Sequence, residues 1–417
     1  MIPTSASSPK IGLALSGGGP MGAIYEIGAL CALEESLNGI DFTKLQHYVG
    51  VSAGGFIAAG LANGFTPRQL CALFIENGSD SEDTFDPSWL MTPAYSEFAR
   101  RAIMVPGLLL SSLWQLAARG QSLTHTLERL GPLLPTGVFS NARIHTELGR
   151  LFSKGGRTND FRQLKTHLTL VATNLDSGQA VPFGRPGWDH IPISQAVQAS
   201  SALPGLFPPV EIEDSYFVDG ALIKTMHASV ALDDGVDLML CVNPLVPFDA
   251  TSPKVAEVMR RGLSAEKHHI PRIVDGGLPA VLSQTFRSMI HSRMVLGMKQ
   301  YEHLFPNTDI ILFEPDQRDP ELYLANTFSY SRRRELAEHA YQQTRHMLRS
   351  RKTGLSAKLW QHGITLHHQA LDDPKRHLSA PRRPPTQVGR AIVSLQEIMD
   401  DLDHVVRSAA HTKGKTW

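Results

Sequence analysis

Three short stretches of the sequence carry residue types that could together form a catalytic centre. Ser52 lies between Gly50 and Gly54 in the pattern G-x-S-x-G, and such a serine can act as a nucleophile. Gly17–Gly19 form an uninterrupted run whose backbone amides could bind an anion. Asp219 precedes a glycine, and its carboxylate could accept the proton of a serine hydroxyl. Together the three stretches predict nucleophilic attack on an acyl group.

The elements around the glycine run predict how it is positioned. Ile11–Leu15 is a short apolar run, which is typical of a buried parallel strand. Apolar residues then recur at spacings of three and four from Ile24 to Leu33, which predicts a helix. The glycines therefore lie where a strand turns into a helix, with the unpaired amides of the helix N-terminus behind them. We expect an anion site at this turn.

A nucleotide cofactor is an alternative occupant of the same turn. Gly17, Gly19 and Gly22 satisfy the dinucleotide pattern G-x-G-x-x-G after a predicted strand. That pattern also needs an acidic residue about 20 positions later, near the end of the second strand. The next predicted strand, residues 45–51, leads into Ser52 instead. A P-loop is disfavoured because no Lys-Ser or Lys-Thr pair follows the glycines. A nucleotide-dependent oxidoreductase is kept as an alternative function.

The serine and the aspartate are both predicted at the ends of strands. Ser52 falls between the predicted strand and a helix expected to begin near Phe56, so a sharp turn would expose its hydroxyl. Residues 216–218 are predicted to be a short strand that carries Asp219 at its end. Asp-Gly is also a common turn pair, so a turn aspartate is the structural alternative. Its position downstream of an exposed serine favours a catalytic role for Asp219.

The order of these motifs resembles that of the patatin-like phospholipase family, and the resemblance covers about residues 11–240. It rests on the glycine turn, the elbow around Ser52, the Asp219-Gly220 pair and the segment ASSALPGLFPP at residues 199–209. The family usually has Arg or Lys where this chain has Met21. Cationic help at the turn is therefore not expected, whereas the backbone amides do not depend on that side chain.

The resemblance implies an α/β fold with a mainly parallel central sheet sandwiched by helices and a largely helical C-terminal extension. It implies a serine hydrolase of phospholipase A type that cleaves acyl esters of lipids. The residues carried over from the family are Ser52 and Asp219 as the catalytic dyad, Gly17, Gly18 and Gly19 as the oxyanion hole, and Gly50 and Gly54 as the elbow glycines. No cofactor and no metal are expected, and the partner would be a phospholipid or another acyl lipid at a membrane surface. A non-catalytic module that binds a membrane or a partner is a further alternative.

Composition sets limits on partners and compartment. The 417 residues include 40 basic and 40 acidic side chains, so net charge does not favour nucleic acid as a partner. Cys31, Cys71 and Cys241 are widely spaced in apolar sequence, which predicts buried free thiols in a reducing compartment. Residues 1–10 lack the basic start and apolar core of a signal peptide. We expect a cytoplasmic protein that could associate peripherally with a membrane.

The chain is predicted to divide into four segments: a flexible N-terminus at 1–10, a catalytic domain at 11–345, a basic proline-containing linker at 346–386 and an amphipathic helix at 387–411. Within the catalytic domain, residues 102–160 are predicted to form a helical cap. Its apolar part, 102–118, is either a core or lid helix or an interfacial element. The C-terminal helix carries a heptad stripe, so it could form a homodimer or dock on the core.

Histidines offer an alternative base for the serine. His227, His291 and His339 are the candidates, and the sequence predicts them to be surface or core residues. Residues 277–298 predict a long helix whose basic side chains are interpreted as a solvated face, with a face toward lipid headgroups as the alternative.

Overall fold

The structure is a computed structural model that describes residues 9–76, 92–95, 97–99, 101, 103, 135–251, 273–319 and 332–379. Its strands are β1 (Ile11–Leu15), β2 (Leu37–Asn38), β3 (His47–Val51), β4 (His167–Asn174), β5 (Ala180–Phe183), β6 (Val210–Ile212), β7 (Ser215–Asp219), β8 (Leu238–Val242), β9 (Asp309–Phe313) and β10 (Thr365–Leu366). Its helices are α1 (Gly19–Ser36), α2 (Ala53–Ala62), α3 (Pro67–Cys71), α4 (Ala142–Phe152), α5 (Ile193–Ser200), α6 (Ser229–Leu232), α7 (Gly277–Leu304), α8 (Arg333–Ser350), α9 (Lys352–Gln361) and α10 (His368–Asp372).

Eight of the described strands form one mainly parallel sheet. Its order is β6-β7-β4-β3-β1-β8-β9, with β5 beside β4. The strands from β4 to β9 in this order are parallel to one another, whereas β5, β6 and β7 pair in antiparallel fashion at one side. The carboxyl ends of β1 and β3 are therefore neighbours. The predicted α/β fold with a mainly parallel sheet is confirmed.

Helices cover both faces of the sheet. Successive side chains along a strand point to opposite faces, so each face presents apolar side chains that a layer of helices buries. In β1, Leu13 and Leu15 contribute to the larger apolar core, in which α1, α2, α5 and α8 pack. Ala14 belongs to a second core on the other face, with Met294 of α7 and residues of α6. All three β1 side chains are fully buried. The alternation explains why β1 is apolar at every position.

Helix α8 packs against α1 on the side that faces away from the sheet. A side chain at Gly28 of α1 would overlap the carbonyl of Ala337 in α8, so the two helices approach closely at this glycine. Tyr25 and Ile27, on different sides of α1, are both buried as a result. The helix that follows the glycine run is therefore a central element rather than a surface one.

The prediction of a linker at residues 346–386 is wrong for the part that the structure describes. Residues 346–379 contain the end of α8 together with α9, β10 and α10, and β10 pairs with β2. The guanidinium of the buried Arg345 donates to the carbonyls of Ala370 at 2.8 Å and Asp373 at 2.7 Å. Leu355, Leu359 and other apolar side chains of this segment lie in the core. The high content of basic residues obscured these apolar positions in the sequence.

Several predictions fall on other parts of the chain. The C-terminal helix at 387–411 and residues 1–8 lie outside the described residues, as does the apolar segment 102–118 apart from position 103. From the predicted cap, residues 135–160 are described and include α4. Cys31, Cys71 and Cys241 are buried free thiols, as predicted. Among the helices that the structure describes, none has the length and apolar content needed to cross a membrane.

Candidate active site

Ser52 occupies a strained turn between β3 and α2, where its backbone has φ 54°. Its ψ is −125°, and this sparsely populated combination of angles costs a non-glycine residue about 1–3 kcal/mol, so the surrounding structure must hold it there. The Gly54 amide donates to the Ser16 carbonyl at 3.0 Å, and a Cβ atom on Gly54 would lie 2.5 Å from that oxygen. A Cβ atom on Gly50 would lie 2.6 Å from the Gly55 Cα atom. The two predicted elbow glycines thus allow the helix to begin directly after the serine, three residues earlier than expected.

The amide of the elbow serine is held by another serine. The Ser52 backbone N–H donates to Ser200 Oγ at 2.8 Å, and the same hydroxyl donates to the Val171 carbonyl at 2.6 Å. Ser200 is fully buried at the end of α5, and Val171 lies in β4. The hydroxyl therefore ties the elbow to the neighbouring strand. Sequence reasoning did not assign Ser200 a role, although it lies in the ASSALPG segment that supported the family resemblance.

Asp219 is fixed at its backbone and at its carboxylate. Its N–H donates to the Ala202 carbonyl at 3.0 Å, and its carbonyl accepts a hydrogen bond from Thr173 Oγ1 at 3.1 Å. Its carboxylate Oδ1 accepts from the Ala221 amide at 2.9 Å. The Ser52 side chain lies near this carboxylate and lowers the pKa of its carboxyl group. The serine and the aspartate predicted from the sequence are therefore brought together: a Cβ atom on Gly17 would lie 3.4 Å from Ser52 Oγ and 3.5 Å from the Cβ atom of Ala221, two residues after Asp219.

Strand register explains how residues so far apart in the chain meet. Val51 of β3 pairs with Val171 of β4, and Ala172 of β4 pairs with Asp219 of β7. β7 runs antiparallel to β4. It therefore begins near the carboxyl end of β4 and runs back along that strand as far as Ala172. Asp219 therefore ends its strand at the level where β3 turns into the serine elbow.

Burial changes the acidity of the aspartate. Only 2% of Asp219 is exposed to solvent. Loss of solvation raises the pKa of its carboxyl group to about 6, and the nearby Ser52 side chain and the hydrogen bond from the Ala221 amide limit this rise. A carboxylate with this pKa is ionised at neutral pH and is a stronger base than an exposed aspartate.

The glycine turn lies beside the serine. A Cβ atom on Gly17 would lie 3.0 Å from Ser52 Cβ and 3.4 Å from Ser52 Oγ. Gly19 has φ 60°, and the amides of Gly17–Gly19 have no hydrogen-bond acceptor among the described residues. Ser16 Oγ donates to Asn243 Oδ1 at 2.9 Å, which ties the turn to the end of β8. The turn thus presents free donors next to a hydroxyl, an arrangement suited to an oxyanion.

Met21 and the three candidate histidines, His227, His291 and His339, make other contacts. Met21, which stands where the family usually has a cation, is buried in the larger core. His227 Nε2 lies 3.2 Å from the Gly220 carbonyl, and burial lowers the pKa of its imidazole to about 4. His291 and His339 bond to Gln317 and Asp319, respectively. The predicted core or surface roles of the three histidines agree with these contacts.

The nucleotide alternative requires an acidic residue at the end of the strand that follows α1 in the sequence and pairs with β1. That strand is β3, and it ends at Val51 before the Ser52 elbow, so the position of the ribose-binding acid is occupied by the serine turn. In the part of the chain that the structure describes, no three His, Cys, Asp or Glu side chains group closely enough to hold a metal ion.

Comparison with known proteins identifies the protein family of this chain. Residues 13–232 match the sequence model of the patatin-like phospholipases, which is more than half of the chain. The chain therefore belongs to the patatin-like phospholipase family. The match includes the glycine turn, the serine elbow and Asp219.

Individual relatives are distant. The chain is 26% identical over 238 residues to the cGAMP-activated phospholipase of Vibrio cholerae, covering 53% of this chain and 56% of that protein. It is 25% identical over 229 residues to the uncharacterized protein R571 of Acanthamoeba polyphaga mimivirus, covering 54% and 62%. The chain thus spans less than two thirds of the length of either relative. Among solved structures it is similar to VipD from Legionella pneumophila, with 19% identity, a TM-score of 0.35, and coverage of 83% of this chain and 68% of that chain.

Proposed function

We propose that the chain is a serine hydrolase that cleaves acyl esters of lipids, of phospholipase A type, with Ser52 as the nucleophile and Asp219 as the base. The observation that carries the proposal is the position of the Ser52 side chain, on its strained elbow, beside the glycine turn and the buried Asp219 carboxylate, whose pKa it lowers. Membership of the patatin-like family supports the reaction class. The name of the Vibrio cholerae relative supports a phospholipid as the substrate class.

The first half of the reaction forms an acyl-enzyme. Ser52 Oγ attacks the ester carbonyl while Asp219 takes the hydroxyl proton. The carbonyl oxygen becomes an oxyanion, which the Gly17–Gly19 amides stabilise, each donor being worth about 3 kcal/mol of the barrier. When the tetrahedral intermediate collapses, the ester C–O bond breaks and the protonated Asp219 returns its proton to the leaving alcohol.

The second half releases the fatty acid. Asp219 removes a proton from a water molecule, and the resulting nucleophile attacks the acyl-serine. The same amides stabilise the second oxyanion. Collapse of this intermediate breaks the bond to Ser52 Oγ, which regains a proton from Asp219. Both groups then return to their starting states, and no cofactor is consumed.

The test compares wild-type and Ser52→Ala protein on a panel of phospholipids, glycerides and acyl thioesters, with products identified by mass spectrometry. We expect free fatty acid and lysolipid from the wild type only, and labelling of Ser52 by a fluorophosphonate. Equal product from both proteins would contradict the proposal. Bound nicotinamide absorbance in the purified protein, without labelling, would favour the oxidoreductase alternative.

A further inference from the structure

Helix α7 has an apolar surface that points away from the core. Its inner side is formed by residues such as Ile290 and Met294, which are buried against the sheet. Four residues at steps of four, seven and seven lie on the opposite side, because such steps return to nearly the same side of a helix. This outer stripe consists of Leu278, Leu282, Met289 and Leu296, which are 69, 44, 46 and 65% exposed.

Basic residues dominate the charge of α7, and its acidic residue, Glu302, lies in the last turn. From Gly277 to Tyr301 the sequence contains no Asp or Glu. Arg293 and Lys299 are exposed and lie on either side of the outer stripe, if the helix is viewed along its axis. An apolar stripe between two cations is the pattern that places apolar side chains in lipid and cations at the level of anionic headgroups.

The position of α7 links the outer stripe to the active site. Gln284 exchanges hydrogen bonds with the backbone of Phe248 at 3.2 and 2.9 Å, and this residue follows the carboxyl end of β8. Arg293 Nη1 donates to the Leu222 carbonyl at 2.8 Å, three residues after Asp219. The amino-terminal half of the helix therefore lies at the same edge of the sheet as Ser52.

We propose that the outer stripe of α7 binds the surface of a membrane that contains anionic lipid and so presents the active site to its substrate. This inference rests on the proposed lipid hydrolase function, since the same surface would supply the ester. A second copy of the chain is a poorer occupant, because a two-fold contact along this stripe would place cations of the same sign near one another. A lipid surface with negative headgroups satisfies the apolar stripe and the cations at once.

The experiment measures co-sedimentation of the full chain with phosphatidylcholine vesicles, with and without phosphatidylglycerol. The triple variant Leu282→Ser/Met289→Ser/Leu296→Ser should lose vesicle binding by about tenfold or more, because three apolar side chains no longer enter the lipid. Lys299→Gln should weaken binding by about fivefold, and only to vesicles with phosphatidylglycerol. A single Leu296→Ser change should weaken binding, whereas Trp360→Ser should not; both residues are 65% exposed, but Trp360 lies on α9.

Three results would overturn the inference. The triple variant could bind vesicles like the wild type. It could shift the association state in size-exclusion chromatography, which would mean that a second copy covers the stripe. It could also lower the melting temperature strongly, which would mean that another part of the chain covers it.

Two controls separate this inference from the proposed function. The Ser52→Ala protein should bind vesicles like the wild type, and the triple variant should hydrolyse a water-soluble short-chain ester at the wild-type rate. Stripe-dependent binding without any ester cleavage would contradict the proposed function and leave the docking surface supported. Ester cleavage with binding that does not depend on the stripe would contradict the docking surface alone.

Discussion

Two turns lie side by side at the carboxyl edge of the sheet, and each joins a parallel strand to a helix. The β1–α1 turn has a positive φ of 60° at Gly19, and the β3–α2 turn has a positive φ of 54° at Ser52. Glycine adopts this conformation without a steric cost, whereas serine does not. Both turns thus contain a residue with positive φ, but the residue types differ. The strain is accepted at the position that carries the hydroxyl of Ser52, which is only 6% exposed rather than open to solvent as predicted, and side chains are omitted where free amides face the same space.

The two turns also differ in how their amides are used. The Ser52 amide is bound by Ser200, which is itself bonded to β4. The amides of Gly17–Gly19 have no acceptor within the described ranges. One turn is therefore held rigidly by the protein, and the other has donors available for a ligand. This difference fits the proposed mechanism, in which the β3–α2 turn would supply the nucleophile and the β1–α1 turn would stabilise the charge that its attack creates.

The largest effect is expected when the reacting groups themselves are changed. Ser52→Ala and Asp219→Asn should each lower kcat/KM for ester hydrolysis by about 10⁴-fold or more, since neither group can act without the other. The double variant should be no less active than either single variant for the same reason. Initial rates on a phospholipid and on a soluble ester measure this effect. Substantial activity in Asp219→Asn would contradict the roles proposed for the two turns, because the serine would then need another base.

A smaller but still large effect is expected in the neighbouring turn. Gly17→Ala would place a methyl group 3.0 Å from Ser52 Cβ, which must displace either the amides or the serine. We expect kcat to fall by about 10²-fold, comparable to the loss of one oxyanion donor. Gly55→Ala is the matched control, because a Cβ atom there would meet Leu170 Cδ2 at an ordinary 3.5 Å. Equal activity of both variants would argue against an oxyanion role for the glycine turn.

The support of the serine elbow can be tested separately. Ser200→Ala leaves the Ser52 amide without its acceptor, so the elbow should become less well ordered and kcat should fall by about tenfold, with little change in KM. The rate of fluorophosphonate labelling at Ser52 should fall in parallel.

Ser201 provides the control for this variant. Its hydroxyl is also buried but has no hydrogen-bond partner among the described residues. Ser201→Ala should therefore keep the wild-type kcat and labelling rate. If the two alanine variants lose the same stability and the same activity, Ser200 contributes only to packing.

The smallest effect concerns the free energy of unfolding, which the buried, ionised carboxylate of Asp219 is expected to lower. Because the pKa of Asp219 is raised in the folded state, the native protein binds this proton more tightly than the unfolded chain does. Ionisation therefore destabilises the fold above about pH 6. At pH 8 the Asp219→Asn variant should be more stable than the wild type by about 1–3 kcal/mol, and this advantage should shrink as the pH falls toward about 4.

Urea unfolding at several pH values measures this difference, with Asp214→Asn, at an exposed position, as a control that should change stability little. In the wild type, kcat/KM should decrease about tenfold for each pH unit below the pKa of Asp219. An Asp219→Asn variant that is less stable than the wild type at pH 8 would show that the ionised carboxylate stabilises the fold.

Much of the central sheet could be predicted from local sequence. β1 has the predicted bounds, and the strands predicted at 45–51 and 216–218 appear as β3 and β7, because a short apolar run between polar residues or glycines has few other ways to be buried. The linker prediction failed for residues 346–379 because it was based on the many basic side chains and not on the spacing of the apolar residues Leu355 and Leu359. Burial of those residues depends on α8, which lies elsewhere in the sequence and which no local pattern could place.

By itself, the sequence determined the types of residue available for chemistry and the turns on which they lie, since glycine runs and strand-to-helix patterns are local properties. Only the tertiary structure decided that Ser52 and Asp219 lie at the same level of the sheet, because that placement depends on the register of β3, β4 and β7 across more than a hundred residues. It also decided that Ser200, and no other hydroxyl in its segment, binds the elbow amide. Hydrogen-bond partners are chosen by position in space, which strand pairing fixes and composition does not.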